Sequence, residues 1–243
     1  MSKDFEDAIP LVGSLTVVMP AYNEERHIKA CLVRVLQEPS VKEIIVVDDG
    51  SSDSTAAVVL EFIKEHPGVR LERHSRNRGK GAALRTAFPL STGRVVLVQD
   101  ADLEYDPAEY EKVLRPILQG HADVVFGSRF LGGGAHRVHY FWHYVGNRIL
   151  TLMSNCFSGL NLTDMESGTK LFRREVLARL DLKESGFSIE PEMVIKVAAL
   201  GVRVYEVPVS YYGRSYAEGK KIGWKDGVHA FWSILKYGIG RWL

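Results

Sequence analysis

The chain has 243 residues, 46% hydrophobic and 25% charged, with 31 Lys and Arg set against 30 Asp and Glu. That composition excludes a disordered chain, and the near-zero net charge gives no footing for nucleic-acid binding. Two cysteines, Cys31 and Cys156, exclude a disulfide-dense secreted scaffold, and no uninterrupted apolar run of about 18 residues offers a membrane-spanning helix.

The acidic opening MSKDFEDAIP has no apolar stretch and reads as an N-terminal extension over residues 1–13, not as a signal peptide. LTVVMP (15–20) predicts a buried strand. Asn23 is placed to cap the next helix, with Glu24 and Glu25 in its first turn, where the helix dipole favours anions. Ile28, Cys31, Leu32, Val35 and Leu36 then follow a helical period. EIIVV (43–47) is a second strand, DDGSSDS a turn, and Val58, Val59, Phe62 and Ile63 mark a second helix before the short strand VRLERH. NRGKGAALRTAF is a loop opening a helix, and RVVLV is the next strand. DPAEYEKVLRPIL predicts a helix with Pro107 in its first turn, and ADVVFGSRF another strand. Strand and helix alternate through this half, so an α/β domain with a mainly parallel sheet is expected.

After the LGGG joint the pattern changes. HRVHYFWHYVGNRILTLMSNCFSGL is aromatic-rich and helical, GTKLFRREVLARL is a strand entering a helix, and PEMVIKVAALG is a helix closed by Gly201. VRVYEVPVSYYG reads as a strand, and the tail from Trp224 as a helix with a strongly apolar face. No boundary divides the chain, so one domain over 1–243 is expected.

The chemistry concentrates where VVLVQDADLEYDP turns from apolar to acidic. Asp100 and Asp102 are spaced i, i+2, so in extended chain they point the same way and can share one hard divalent cation. Mg²⁺ and Mn²⁺ accept one or two carboxylates with phosphate oxygens completing the shell, which points to a metal–diphosphate site. Asp48 and Asp49 end another strand, and Tyr22, Asn23 and Glu24 a third. Three polar strand ends at one sheet edge would make a nucleotide crevice.

In this order, VVMPAYNEE, EIIVVDDGSSDST, GKGAALRTAF, QDAD and GSRF resemble family 2 of the inverting GT-A glycosyltransferases. TDMESGTKLFRREV, FSIEPEM and EVPVSYYGRSYAEGKKIGWKDG resemble the branch holding dolichol-phosphate mannose synthase and the polyprenyl-phosphate glycosyltransferases, and the likeness spans roughly residues 14 to 236. The resemblance implies a GT-A nucleotide-diphospho-sugar transferase fold, a mainly parallel sheet flanked by helices. It implies a metal-dependent hexosyltransferase that moves mannose or glucose from a nucleotide-diphosphate sugar to polyprenyl or dolichyl phosphate. Pro20, Tyr22 and Glu24 would then line the base and ribose pocket, and Asp49 would contact the base. Asp100, Ala101 and Asp102 would hold ribose, Mg²⁺ or Mn²⁺, and diphosphate. Arg129 would face the acceptor phosphate, and Arg214 and Lys220 would clamp the donor. Members of this branch often carry Gln where this chain has Glu104, which becomes a third candidate metal ligand.

A sugar hydroxyl acceptor would need a base, and Asp164 and Glu166 are the candidates, with Glu190 a weaker one. A phosphate acceptor would need none. The GKG turn lacks the spacing of a phosphate loop, and Lys221 reads as surface charge. His136, His139 and His143 share a helical face that could hold zinc, but the interleaved Tyr140, Phe141, Trp142 and Tyr144 favour an interfacial helix over 135–160. Phe231, Trp232, Leu235, Ile239 and Trp242, with Lys225, Lys236 and Arg241, give 224–243 the same character. The expected partners are therefore a nucleotide-diphosphate sugar, a polyprenyl phosphate lipid and the cytoplasmic face of a membrane, with room for a homo-oligomer or a membrane-protein partner. Two rivals remain: the same fold with a soluble, sugar or protein acceptor, and a nucleotide-sugar-binding protein without activity. A dinucleotide oxidoreductase is disfavoured, because no G-x-G-x-x-G follows a strand.

Overall fold

Four apolar runs of the first half become neighbouring parallel strands. They are β1 (Leu15–Ala21), β2 (Val41–Asp48), β3 (Val69–Arg73) and β4 (Val95–Val98). The remaining strands are β5 (Val124–Ser128), β6 (Lys170–Arg173) and β7 (Val204–Pro208), and the seven-stranded order is β3-β2-β1-β4-β6-β5-β7. Only β6 runs against its neighbours, so the sheet is mainly parallel, as expected. This computed structural model describes residues 9–132, 137–138, 140–214 and 223–240.

Helices cover both faces, which is why the central strands are apolar at nearly every position. Val17, Met19, Ile44, Val46 and Leu97 face α1 (Ile28–Leu36), α2 (Thr55–Ile63) and α4 (Tyr110–Leu118). The alternate residues Val18, Ile45, Val47, Val96 and Val98 face α3 (Lys80–Ala87) and α7 (Ile189–Ala199). The short α6 (Arg174–Leu177) follows β6 directly. The second-half helices α5 (Phe141–Ser158), α7 and α8 (Trp224–Gly240) pack against one another. Ile9 is buried in the core beside β1, so part of the N-terminal extension belongs to the fold.

Two local expectations are corrected. Asn23 does not cap α1, which begins at Ile28 behind an N-cap His27 that makes no side-chain cap. Asn23 instead takes a left-handed φ of 52°, and its Oδ1 accepts Ser52 N–H at 2.9 Å. Glu24 and Glu25 accordingly precede the helix, and Glu24 is left at the sheet edge. Pro107 opens a separate 3₁₀ turn (Pro107–Glu109), capped by the Asp106 side chain, ahead of α4.

The chain moves outward from β1 through β2 to β3 and then returns to the other side of β1 as β4. That reversal opens a crevice beyond the carboxyl ends of β1 and β4. The registers Ala21↔Asp48 and Val18↔Val98 bring all three polar strand ends to this edge.

Candidate donor and acceptor site

The crevice is a cavity of about 310 Å³. Pro20, Tyr22 and Glu24 line it from β1, Asp49 from β2, and Asp100, Ala101 and Asp102 from β4. The nucleotide-site residues expected from sequence thus meet in one place. Lys220, Lys221, His136, His139, Arg241 and Trp242 lie outside the described residues.

The loops are stitched together by backbone hydrogen bonds. Glu24 N–H donates to Thr55 Oγ1 at 2.8 Å, and Asn23 N–H donates to Ser51 Oγ at 2.9 Å. Asp49 is buried and accepts from Arg78 N–H, Gly79 N–H and His74 Nδ1, the last at 2.6 Å. It fixes the turn that opens α3. Gly79 needs its positive φ of 92°, and a Cβ there would strike the Ser185 carbonyl.

That turn delivers Lys80, which the sequence reading passed over in favour of the flanking glycines. Lys80 Nζ lies 2.8 Å from Asp100 Oδ1 and 2.9 Å from Glu190 Oε1, the second an ion pair without hydrogen-bond alignment. Burial works against the ammonium charge, but Asp100 and Glu190 outweigh it and hold the Lys80 pKa above its ordinary value. Glu190 Oε2 also receives Lys170 Nζ at 2.5 Å, so this buried carboxylate bridges two lysines.

Arg214 arrives from the far end of the sequence. Tyr211 bridges Tyr105, Tyr212 N–H donates to the Glu104 carbonyl, and Arg214 N–H donates to Glu104 Oε1 at 2.7 Å. Its guanidinium then spans Asp102 Oδ2 at 2.9 Å and Glu24 Oε2 at 3.3 Å. Both Glu104 oxygens are taken, because Oε2 accepts the Tyr211 hydroxyl at 2.9 Å. Glu104 therefore anchors the Arg214 segment.

Among the described residues, negative charge outweighs positive at this corner. Burial, then the charges of Asp100 and Glu104, push Asp102 up to about 7 against the pull of Arg214. A carboxylate pair in that condition fits a divalent cation. Among the described residues no group of three His, Cys, Asp or Glu forms a ready cage. That fits a hard ion taking its other ligands from phosphate and water. Gly168 leaves the room required, since a Cβ there would overlap Asp100 Oδ2.

At the end of β5, Arg129 grips Asp164 with Nε and Nη2 at 2.6 and 2.7 Å. Its guanidinium stacks 5.2 Å from the Tyr211 ring centroid. Burial opposes the Asp164 charge, but Arg129 overrides it and holds that carboxyl below the usual range. Asp164 is thereby held as the counter-ion of Arg129. Glu166 differs: its Oε1 is buried with no hydrogen-bond partner among the described residues, and burial, then Glu190, push it up to about 7.

Comparison with known proteins shows the family. The model of Glycosyl transferase family 2 matches residues 16–181. The polyprenol monophosphomannose synthase of Mycolicibacterium smegmatis is 30% identical over 92% of this chain and 86% of its own. The undecaprenyl-phosphate mannosyltransferase of Micrococcus luteus is 30% identical over 93% of this chain and 94% of its own. The glucosyl-3-phosphoglycerate synthase of Mycobacterium tuberculosis, solved with Mn²⁺, uridine diphosphate and phosphoglyceric acid, superposes with a TM-score of 0.71 at 21% identity. That likeness covers 93% of this chain and 78% of the synthase. By the family model and by these relatives, this chain belongs to glycosyl transferase family 2.

Proposed function

We propose that this chain is an inverting hexosyltransferase that moves mannose or glucose from a nucleotide-diphosphate sugar to a polyprenyl phosphate at the cytoplasmic face of a membrane. The observation that carries this reading is the meeting of Asp100, Asp102 and Arg214 at the strand-order reversal. Asp100 and Asp102 would hold Mg²⁺ or Mn²⁺, which when bound neutralises charge building on the departing diphosphate. Lys80 fixes Asp100, and Arg214 covers the same corner as a guanidinium aimed at the diphosphate.

No base is required of this chain when the acceptor is a phosphate monoester, whose second pKa of about 6 leaves it mostly dianionic at neutral pH. Consistent with that, Asp164 is committed to Arg129. Arg129 and Tyr211 would orient the incoming phosphate on the side of the crevice away from α3. The names of the mannosyltransferase relatives support the lipid acceptor.

No helix among the described residues is long and apolar enough to cross a membrane. Yet α5 and α8 turn large apolar side chains outward, with Trp142 77%, Leu152 64% and Trp232 64% exposed. Such helices suit the headgroup level of a bilayer, where the acceptor phosphate lies.

The test is transfer of radiolabelled hexose from UDP- and GDP-sugars to undecaprenyl phosphate with Mn²⁺, read as label extracted into organic solvent. The reading predicts lipid-borne label that requires the metal. Label reaching only water-soluble acceptors would remove the lipid assignment.

A further inference from the structure

A second cavity, of about 760 Å³, opens at the opposite edge of the sheet. Ser91 and Arg94 on its wall precede β4, whereas Asp100 follows that strand. Arg173 joins them there because it pairs with Val95 in the antiparallel register of β6. The cavity therefore shares no wall with the donor crevice.

Its lining is unusually cationic. Arg85, Arg94, Arg173 and Arg174 surround an apolar floor that includes Phe88 and Leu177. Arg173 is balanced already, 3.5 Å from the buried Asp123 and 3.9 Å from Glu175 on the wall, and the other wall carboxylate, Asp181, lies 3.2 Å from Lys183. Arg85 donates to Ser185 Oγ at 3.2 Å, but its buried Nε has no hydrogen-bond partner among the described residues. Neither Arg85 nor Arg174 forms an ion pair among the described residues. Burial, together with the charges of Arg203 and Arg94, holds Arg173 below the usual guanidinium range even though Asp123 and Glu175 oppose the shift.

A water molecule could satisfy the buried Arg85 N–H, but it would supply no counter-charge to Arg85 or Arg174, which form no ion pair among the described residues. A phosphate does both, since a guanidinium matches its oxygens in a planar, charge-assisted pair. We infer that this cavity is a second anion site, taking a phosphate- or polyphosphate-bearing ligand whose apolar part rests on Phe88 and Leu177. Arg85 shares α3 with Lys80, about 7.5 Å along the helix axis at 1.5 Å per residue. The occupant would thus bear on the same helix that presents Lys80 to the donor. A soluble phosphate compound and the headgroup of an anionic lipid supply the same chemistry.

The probe is sodium tripolyphosphate, titrated calorimetrically into the full chain in EDTA, where the carboxylate-rich donor crevice repels a polyanion. One saturable site is expected, weakened about tenfold by Arg174→Glu and by Arg85→Met, the scale of losing a hydrogen bond to a charged group. Arg174 is exposed, so its variant should fold, and near-ultraviolet circular dichroism verifies that. In a parallel arm, the chain is sedimented with phosphatidylglycerol and with phosphatidylcholine vesicles. A preference for phosphatidylglycerol that Arg174→Glu removes assigns the site to lipid headgroups, and tripolyphosphate binding without that preference assigns it to a soluble ligand. Absence of variant-sensitive binding in both arms, or heat that persists in both variants, overturns the proposal.

Discussion

Arg129 and Asp164 form a two-pronged pair, Nε to Oδ2 at 2.6 Å and Nη2 to Oδ1 at 2.7 Å, and Arg129 N–H reaches Oδ2 as well at 3.0 Å. Asp164 is fully buried and the Arg129 side chain is 12% exposed. Such a pair earns its place through geometry more than through net stability, because desolvation offsets much of the attraction. Here it holds the guanidinium over the Tyr211 ring, 5.2 Å from its centroid.

Asp164→Asn should therefore be costly to the fold. Removing one partner of a buried pair leaves the other charge uncompensated, for a loss of about 3–5 kcal/mol. The folded pKa of Asp164 lies below its unfolded value, so its stabilisation is complete above the unfolded value, near 4, and is lost as pH falls toward the folded one. Urea denaturation at pH 7 and at pH 3.5 would test this. The gap between native chain and variant should be wide at the first pH and narrower at the second; an equal gap at both would remove the linkage.

Asp102→Asn separates chemistry from stability. Asp102 is repelled by Asp100 and Glu104, so replacing its carboxylate without metal present should leave Tm unchanged or slightly higher. Transfer should fall by roughly 10²–10³-fold, the scale seen when one transition-state charge stabiliser is lost. Turnover near the native rate would show that the cation does not sit there.

Glu104→Gln distinguishes an anchor from a metal ligand. The amide oxygen can accept Arg214 N–H while its NH2 donates to the Tyr211 hydroxyl oxygen, so the two contacts that hold the Arg214 segment persist with one of them reversed. If Glu104 is an anchor, the substitution should leave the Mn²⁺ concentration for half-maximal activity within about threefold, since each neutral hydrogen bond contributes only about 1 kcal/mol. A shift of tenfold or more would restore Glu104 to the metal shell.

Much of this site could be read from the sequence because its signals are local. Asp100 and Asp102 announce themselves as carboxylates spaced i, i+2 at the end of an apolar run, and the strand–helix alternation placed Asp49 and Tyr22 at the same edge. What the sequence did not show has tertiary causes. Asn23 looked like a cap, but Ser51 and Ser52, across the crevice on the next loop, offer its backbone and side chain better partners. The pairing of Arg129 with Asp164 joins positions 35 apart, which no spacing rule predicts. Lys80 was hidden by the glycines that make its turn possible. Glu104 was read for its charge, whereas its two oxygens answer to Tyr211 and Arg214, more than a hundred positions away in sequence.

The outward aromatic residues of α5 and α8 support a last prediction. Trp142 and Trp232 are too exposed to contribute much to folding, so Trp142→Glu and Trp232→Glu should leave Tm unchanged. If these helices lie on a bilayer, each substitution removes an apolar anchor from the interface and adds a charge. Partitioning onto phospholipid vesicles should then fall roughly tenfold per residue, from an apolar burial term of about 25 cal/mol per Å². The two losses should compound, because α5 and α8 pack against each other. Turnover with a short, water-soluble prenyl phosphate should be spared, since the crevice chemistry is untouched, while turnover with a long lipid in vesicles should drop with binding. Equal losses with both acceptors would place these residues in the fold of the crevice instead of on the membrane.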